Sequence, residues 1–424
     1  MSYKETVRKI AVEGCRLLIG LVFIFSGTVK AVDPMGGAIK IGDYLTAFGM
    51  DKLQPLTLLL SFNLSAVEFT LGICLLLGVY RRYASFLTLA FMCFMTPLTL
   101  YLAVFNPVSD CGCFGDALLL TNWQTFYKNV VLLAASLVVF IYNQRMWQTF
   151  TYKVYWFVAL FAYIYSVGFA YRNYTHLPVA DFRPYKVGAN IPSLMTIPEG
   201  AAEDEYSYSF IYEKEGVRKE FTLDNVPTED STWVFVDSKT ELIKQGYVPP
   251  VTSFNIFDIE GNDIAEQLLE NPNPLFLLIA PKLEEADDEQ IDEINNVYDY
   301  SLEHSIDFYC VTGSGSEEIQ EWIDNTGAEY TFLTADDILL KTIIRSNPGL
   351  VLLKEGTILK KWHYNDIPHE SELSSVIATY LEESSDQKKQ EDGWLVTNLF
   401  TFSVPLLFVW IYDYLRNRRR RENK

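Results

Sequence analysis

Cys111 and Cys113 stand one residue apart in the stretch "NPVSDCGCFGDALLLTNW", residues 106–123, with apolar sequence on both sides. Two thiols at this spacing admit three chemistries. They can cycle between dithiol and disulfide, sit as a structural disulfide or inert thiols, or hold a metal. At positions i and i+2 the Cα atoms are about 5.5–7 Å apart, near the upper limit a disulfide accepts. Gly112 relieves the backbone between them, because glycine admits positive φ. A ring this small stores strain, and strained disulfides are more oxidising and more labile. As a staple it would remove little chain entropy. Asp110 and Asp116 are expected to raise the thiol pKa by their charge. A metal would need further ligands to complete four-coordination. The first 175 residues contain no histidine, so no metal is expected. Redox chemistry is the leading reading, with structural or inert thiols behind it.

The other cysteines carry weaker signals. Cys15, Cys74 and Cys93 lie inside apolar segments, where packing is the default and one of them would have to approach the loop to act as a resolving thiol. Cys310 falls in a predicted buried strand, a setting that favours inert packing. Four further side chains stand out by position. Arg16 and Glu68 are charges within apolar segments, which cost a few kcal/mol unless paired and so face a bundle interior. An Arg16–Glu68 pair would be a structural lock. The alternative is a polar site for a quinone headgroup, or a proton path, in which Lys30 and Tyr101 join them. A quinone is the one cofactor expected.

The elements that must position these residues are membrane helices. Apolar runs cover Ala11–Val32, Leu56–Val79, Tyr83–Phe105, Phe126–Tyr142, Val154–Tyr171 and Trp394–Tyr414. Each is long enough, or nearly so, for the ~20 residues that cross ~30 Å of hydrocarbon. Pro97 in the third run is tolerable where neighbours satisfy the freed carbonyl. Basic residues mark one side: Lys4, Arg8 and Lys9, then Arg81 and Arg82, then Arg145 and Lys153, and finally "RNRRRRENK". By the excess of Lys and Arg on cytoplasmic flanks, both termini are expected in the cytoplasm, with Lys30, Lys40 and Lys52 as exceptions on the other side. No small-x-small cleavage site closes the first run, so it is read as a retained anchor. The Cys111/Cys113 loop and the large polar block then share the non-cytosolic compartment. In a bacterial inner membrane that space is the periplasm, which is oxidising.

Of 424 residues, 49% are apolar and 15% aromatic, and the formal charge is −20. The balance is uneven. Residues 172–393 carry a net −28, and the remainder a net +8. Nucleic acid is excluded as a partner of the polar block, whose sign opposes phosphate binding. The expected partners are membrane lipid and an extracytoplasmic protein client or complex subunit. Within the block, residues 176–250 hold alternating stretches such as "YSYSFIYEKEG" and "STWVFVDS", which predict half-buried strands. Further on, "TSFNIFDIEGN" predicts a hairpin and "NPLFLLIAP" a buried strand. A helix around 287–304, the strand "IDFYCVTG", the helix "SEEIQEWIDNTG", "YTFLTADD", the short helix "ILLKTIIRS" and the hairpin in "NPGLVLLKEGTILKKW" follow. Strands and helices in alternation predict an α/β sandwich.

Two resemblances follow from these stretches. The element order over Val251–Glu382 resembles the thioredoxin fold, with Pro348 in the place of that family's cis-proline. Where that family carries Cys-x-x-Cys, this chain reads "PKLEEADD", so the domain is expected to bind or position rather than to exchange electrons. "FIFSGTVKAVDP", "LSAVEFTLGICLLLGVYRR" and "DCGCFGDALLLTNWQTFYKNVVLL" are similar to the DoxX/MauE superfamily of four-helix integral membrane proteins, over about Val7–Gln144. That resemblance implies thiol or quinone-linked redox chemistry, or maturation of disulfide-rich periplasmic proteins. The expected architecture is therefore an α-helical membrane protein, a four-helix bundle plus two further transmembrane helices, with an extracytoplasmic thioredoxin-like α/β domain. Its segments are 1–148, 149–175, a β-rich linker domain over 176–250, the thioredoxin-like domain over 251–385, a sixth helix over 394–415 and a basic tail over 416–424. The expected function is an inner-membrane thiol–disulfide oxidoreductase or maturation factor using Cys111 and Cys113. The alternative is a non-catalytic assembly factor or subunit. A transporter rests on intramembrane charge alone.

Overall fold

The computed structural model describes residues 3–108, 111–214, 216–226, 232–244, 246–382 and 393–422. Among them are six helices long and apolar enough to cross a membrane. The first, α1, spans Tyr3–Val32. Asp33 then caps α2 (Pro34–Ala47), its Oδ1 accepting from the Gly36 amide at 2.8 Å, with Pro34 in the first turn. An aspartate cap followed by proline is a strong helix start. None of the apolar runs predicts this helix. Its buried residues Pro34, Ala38, Gly42 and Leu45 form a helical stripe that the glycines obscure. Then come α3 (Thr57–Leu77), α4 (Arg81–Phe105), α5 (Asn122–Ile141) and α6 (Tyr155–Thr175). Each covers a predicted apolar run. Near the end of the chain the last helix, Gly393–Glu422, covers the sixth.

Two ends of the bundle can be told apart by their contacts. At one, Glu13 accepts from the Trp147 amide at 2.7 Å, Arg81 donates to the Gln144 and Met146 carbonyls, and Asp413 accepts from Thr151. At the other lie α2, the 106–121 loop and the α/β domain. The first turns of α1 and the last turns of the final helix thus share one side, and the cysteine loop shares the other with the polar domain. Helices α1 and α3 pack at close range because small residues face each other. A Cβ on Gly27 would fall 2.5 Å from the Phe69 amide nitrogen and 2.7 Å from the Ser65 carbonyl oxygen. Small residues of this kind let membrane helices approach.

Beyond α6 the chain folds onto the α/β domain at once. Tyr185, the short helix α7 (Ile191–Met195) and Val251 belong to the same core as the six-stranded sheet. The structure therefore divides 176–250 differently from the sequence reading. Only β1 (Glu205–Lys214), β2 (Val217–Thr222) and β3 (Val234–Lys244) stand apart, as a three-stranded antiparallel sheet in the order β2–β1–β3. These strands are more exposed than predicted.

The larger sheet has the order β4–β7–β6–β5–β8–β9. Its strands are β4 (Ile256–Phe257), β5 (Leu275–Ala280), β6 (Asp307–Thr312), β7 (Thr331–Ala335), β8 (Gly349–Lys354) and β9 (Thr357–His363). Helices α8 (Ala265–Leu269), α9 (Ile291–Glu303), α10 (Ser316–Thr326), α11 (Asp337–Ile343) and α12 (Glu370–Glu382) complete the domain. Strands β5, β6 and β7 run parallel, β8 is antiparallel to β5, and β9 is antiparallel to β8. Leu275, Leu277 and Ile279 enter one core and Phe276, Leu278 and Ala280 the other. This is the period-2 alternation of a strand buried on both faces. The Asn347–Pro348 bond is cis, at the place the thioredoxin resemblance assigned. The expected hairpin over 252–262 is present in short form: Phe257 bridges Asp263 antiparallel, Asp258 gathers the Glu260 and Asn262 amides in the turn, and Ile256–Phe257 also pairs with β7.

Gly27→Val should overpack the α1–α3 contact and cost about 1–3 kcal/mol, read as a lower thermal midpoint of the full chain in detergent. Gly14→Val, where a Cβ meets nothing within 4 Å, should leave the midpoint in place. Equal midpoints for both variants would contradict the close contact.

Candidate functional site

The loop after α4 is held at both rims. Asn122 donates to the Asn106 side chain at 2.8 Å and to the Val108 carbonyl at 3.1 Å. A capping box then starts α5, with Thr121 and Gln124 bonding each other's backbone amides. Inside the loop, Gly112 takes φ +62°, a conformation that side-chain-bearing residues rarely adopt. Its Cα faces the aliphatic part of Lys40 on α2, where a Cβ would come within 3.2 Å. The turn brings the two sulfurs to 3.0 Å as free thiols. Cys111 is buried against Leu102 and Val108, and Cys113 is half-buried.

The carbonyls of both cysteines are gripped from other elements. Tyr44 of α2 donates to the Cys111 carbonyl at 2.7 Å, and Ser26 of α1 to the Cys113 carbonyl at 2.7 Å. Beneath this lies an ion pair within the bundle. Lys30 Nζ reaches Glu68 Oε1 at 2.8 Å and Oε2 at 2.7 Å, and donates to Ser26 Oγ at 2.9 Å. Lys128 of α5 sits 4.1 Å from the centre of the Phe114 ring.

The hydrogen bond between the thiols sets the order in which they ionise, and the cations add to it. The Cys113 thiol is lowered to about 6, first by the hydrogen bond from Cys111 and then by Lys128 and Lys30; burial and Glu68 act against it. Cys111 is raised, because it donates that bond and is buried. The expectation that acidic neighbours raise both thiols does not hold at Cys113. Asp116 turns to Arg345, 3.5 Å away, and Asp110 lies outside the described residues. Cys310 is fully buried and its thiol is pushed up by burial, the environment of a packing residue.

The four other residues singled out in the sequence do not converge. Lys30 and Glu68 meet. Arg16 instead pairs with Glu13 at 2.5 Å and donates to the Leu75 and Leu76 carbonyls at 3.1 and 2.7 Å. It thereby satisfies the last turn of α3, the electronegative end of that helix. This corrects the expected Arg16–Glu68 pair. The two are separated in depth by about 11 Å, the rise of seven or eight helical residues. Tyr101 lies on an outer face against Phe48 and Phe105. All three Lys30 donors have protein partners, so these four residues do not build one headgroup site for a quinone. Cys15 and Cys74 lie in the bundle core toward the Arg16 end, and Cys93 is about 18 Å of helix from the C-terminal end of α4.

Sequence reasoning missed Arg345. Its Nε lies 3.2 and 3.1 Å from the two oxygens of Asp33, and its Nη1 donates to the Lys341 carbonyl at 2.6 Å. With Asp116 on Nη2, one guanidinium from just before the cis-proline joins the α2 cap and the cysteine loop. Its one sequence signal is a lone arginine beside the proline in an acidic domain. On the same side a cavity of about 260 Å³ opens between the domains, lined among others by Met35, Tyr174, Lys282, Asn347 and Tyr364. Lys282 is the second residue of the "PKLEEADD" stretch, and its carbonyl accepts from Asn347 at 2.8 Å.

Fold and site together define a polytopic helical membrane protein with a dithiol at one end of the bundle and an α/β domain seated over it. Residues 8–142, about a third of the chain, match the family described as "Methylamine utilisation protein MauE", so the N-terminal bundle is MauE-like; the broader DoxX name is not part of that match. Residues 206–245, the small sheet, match a domain of unknown function, DUF8463. No curated protein matches the chain. A solution structure of a candidate protein disulfide isomerase from Bacteroides thetaiotaomicron aligns at 15% identity and TM-score 0.25, over 32% of this chain and 90% of that one.

Alkylation of Cys113 should titrate with a midpoint near pH 6, followed by mass spectrometry of its peptide across pH 4–10. Lys128→Gln removes a cation that favours the thiolate, so the midpoint should move up and labelling at pH 6 should fall. An ordinary cysteine midpoint in the unaltered protein would refute the assigned field.

Proposed function

We propose that the protein is a membrane thiol–disulfide exchanger or disulfide-maturation factor in which Cys111 and Cys113 are the reacting pair and the α/β domain holds the client. The observation that carries this reading is geometric: two free thiols with their sulfurs 3.0 Å apart, in a turn that Tyr44 and Ser26 grip from two other helices. A lowered Cys113 thiol beside a raised Cys111 thiol is in keeping with it, since the thiolate is the nucleophile and the better leaving group in exchange.

In the oxidised form, a client thiolate attacks one sulfur of the pair. The pair's own S–S bond breaks and the electron pair leaves on the other sulfur. The client's second thiolate then attacks the mixed disulfide, closing the client disulfide and releasing the second cysteine. Two electrons pass from client dithiol to the Cys111–Cys113 disulfide, and two protons are released or taken up by the thiols. Stabilising Cys113 as thiolate favours the reduced pair, which makes its disulfide an oxidant. The small ring acts in the same direction.

The α/β domain lacks cysteine at the corner where thioredoxins react, and that corner faces the cavity beside α2. We assign it the role of client cleft. On this reading the dithiol end of the bundle is extracytoplasmic and both chain ends are cytoplasmic, in keeping with the basic flanks.

In cells, the Cys113 thiolate of Cys111→Ser should attack the disulfide of an oxidised client and expel one client thiolate, and with no partner cysteine to resolve it the mixed disulfide should accumulate on non-reducing gels and vanish with reductant. Cys113→Ser leaves only the buried, raised thiol and should trap at least about tenfold less. No adduct with either variant, at normal protein levels, would support the non-catalytic assembly role instead.

A further inference from the structure

The α/β domain is acidic, yet one cavity at its base is not. It measures about 530 Å³ and is lined by five Lys or Arg residues and by two carboxylates, Asp181 and Asp366. Both carboxylates are already committed. Asp181 lies between Lys361 at 2.5 Å and Arg183 at 2.9 Å, and Asp366 bonds His176 at 2.7 Å. Lys361 is buried and Arg183 donates to the Lys341 and Thr342 carbonyls, so these two cations are structural. Three remain. Lys186, Lys360 and Arg172 line the same cavity and have no carboxylate partner among the described residues, although Arg172 Nη1 donates to the Leu177 carbonyl at 2.8 Å. Lys360 sits 5.1 Å from the Tyr380 ring, leaving its ammonium directed by a π-face alone.

The place of this cavity decides the ligand class. Arg172 is in the last turn of α6, and Trp394, also in the lining, is the second residue of the final helix. Both mark where a spanning segment meets the domain, so the cavity opens at the level of the lipid headgroups. Tryptophan is enriched at that depth, and basic residues there are attracted to anionic lipid. The abundant anion of that layer is a phosphate diester, and a site with three unpaired cations favours a lipid with net negative charge over a zwitterion. We propose that this cavity binds the headgroup of an anionic phospholipid, with Arg172, Lys186 and Lys360 on the phosphate, and so ties the α/β domain to the bilayer beside α6.

The test is thermal unfolding of the full chain in neutral detergent, titrated with dioctanoyl-phosphatidylglycerol, dioctanoyl-phosphatidylcholine or inorganic phosphate. The phosphatidylglycerol should raise the midpoint saturably, and the other two should not at equal concentration. Lys186→Gln/Lys360→Gln should weaken that response by on the order of tenfold, while Lys239→Gln/Lys244→Gln, the same charge change on the small sheet, should leave it intact. Equal responses to the two lipids would overturn the proposal, as would an equal response in both double variants. A full response to inorganic phosphate would assign the cavity to a free anion and also overturn it. The lipid comparison on the unaltered protein stands even if the lysine variant misfolds.

Discussion

Lys30 and Glu68 form the constraint on which the thiol end of the bundle depends. Their side chains are 11% and 5% exposed and bond each other through both carboxylate oxygens. Breaking such a pair by removing one partner strands a buried charge, at about 3–5 kcal/mol. The pair therefore holds α1 and α3 in one rotation and one depth. Ser26, one turn before Lys30, carries that order outward, since it accepts from Lys30 and donates to the Cys113 carbonyl. The cation that locks the helices is also one of the two that favour the Cys113 thiolate. The same ammonium group thus takes part in helix packing and in favouring the Cys113 thiolate.

Arg345 extends this arrangement to the α/β domain. A guanidinium can meet carboxylates on more than one edge, and here it meets Asp33 and Asp116. Asp33 is also the cap of α2, the helix whose Tyr44 holds the Cys111 carbonyl. The domain thus rests on the elements that shape the cysteine turn. The α/β domain, whose described residues hold Cys310 as their one cysteine, is thereby seated over the loop that carries the two thiols.

Several features were legible in the linear order of residues because they depend on local runs. The six spans follow from unbroken apolar stretches. The fully buried β5 follows from "LFLLIA", and the cis-proline position follows from the order of elements around Pro348. Helix α2 was not legible, because Gly36, Gly37 and Gly42 weaken the stripe that an aspartate cap and tertiary contacts nonetheless support. The 176–250 division was misplaced for a related reason. Tyr185 and Ile191 look like linker residues until β9 and the sheet core are beside them.

By itself, then, the order of residues determined which segments are apolar enough to span, which end of each is basic, and that two thiols share one tight turn around a glycine. Only the tertiary structure decided that Lys30, rather than Arg16, pairs with Glu68, that Asp116 turns away to Arg345, and that Cys113 is the thiol of lower pKa. The reason is geometric. Span and charge are sums over neighbours in the chain, whereas a pairing or a shifted pKa depends on helix depth, rotation and distances of 3–4 Å between residues far apart in sequence.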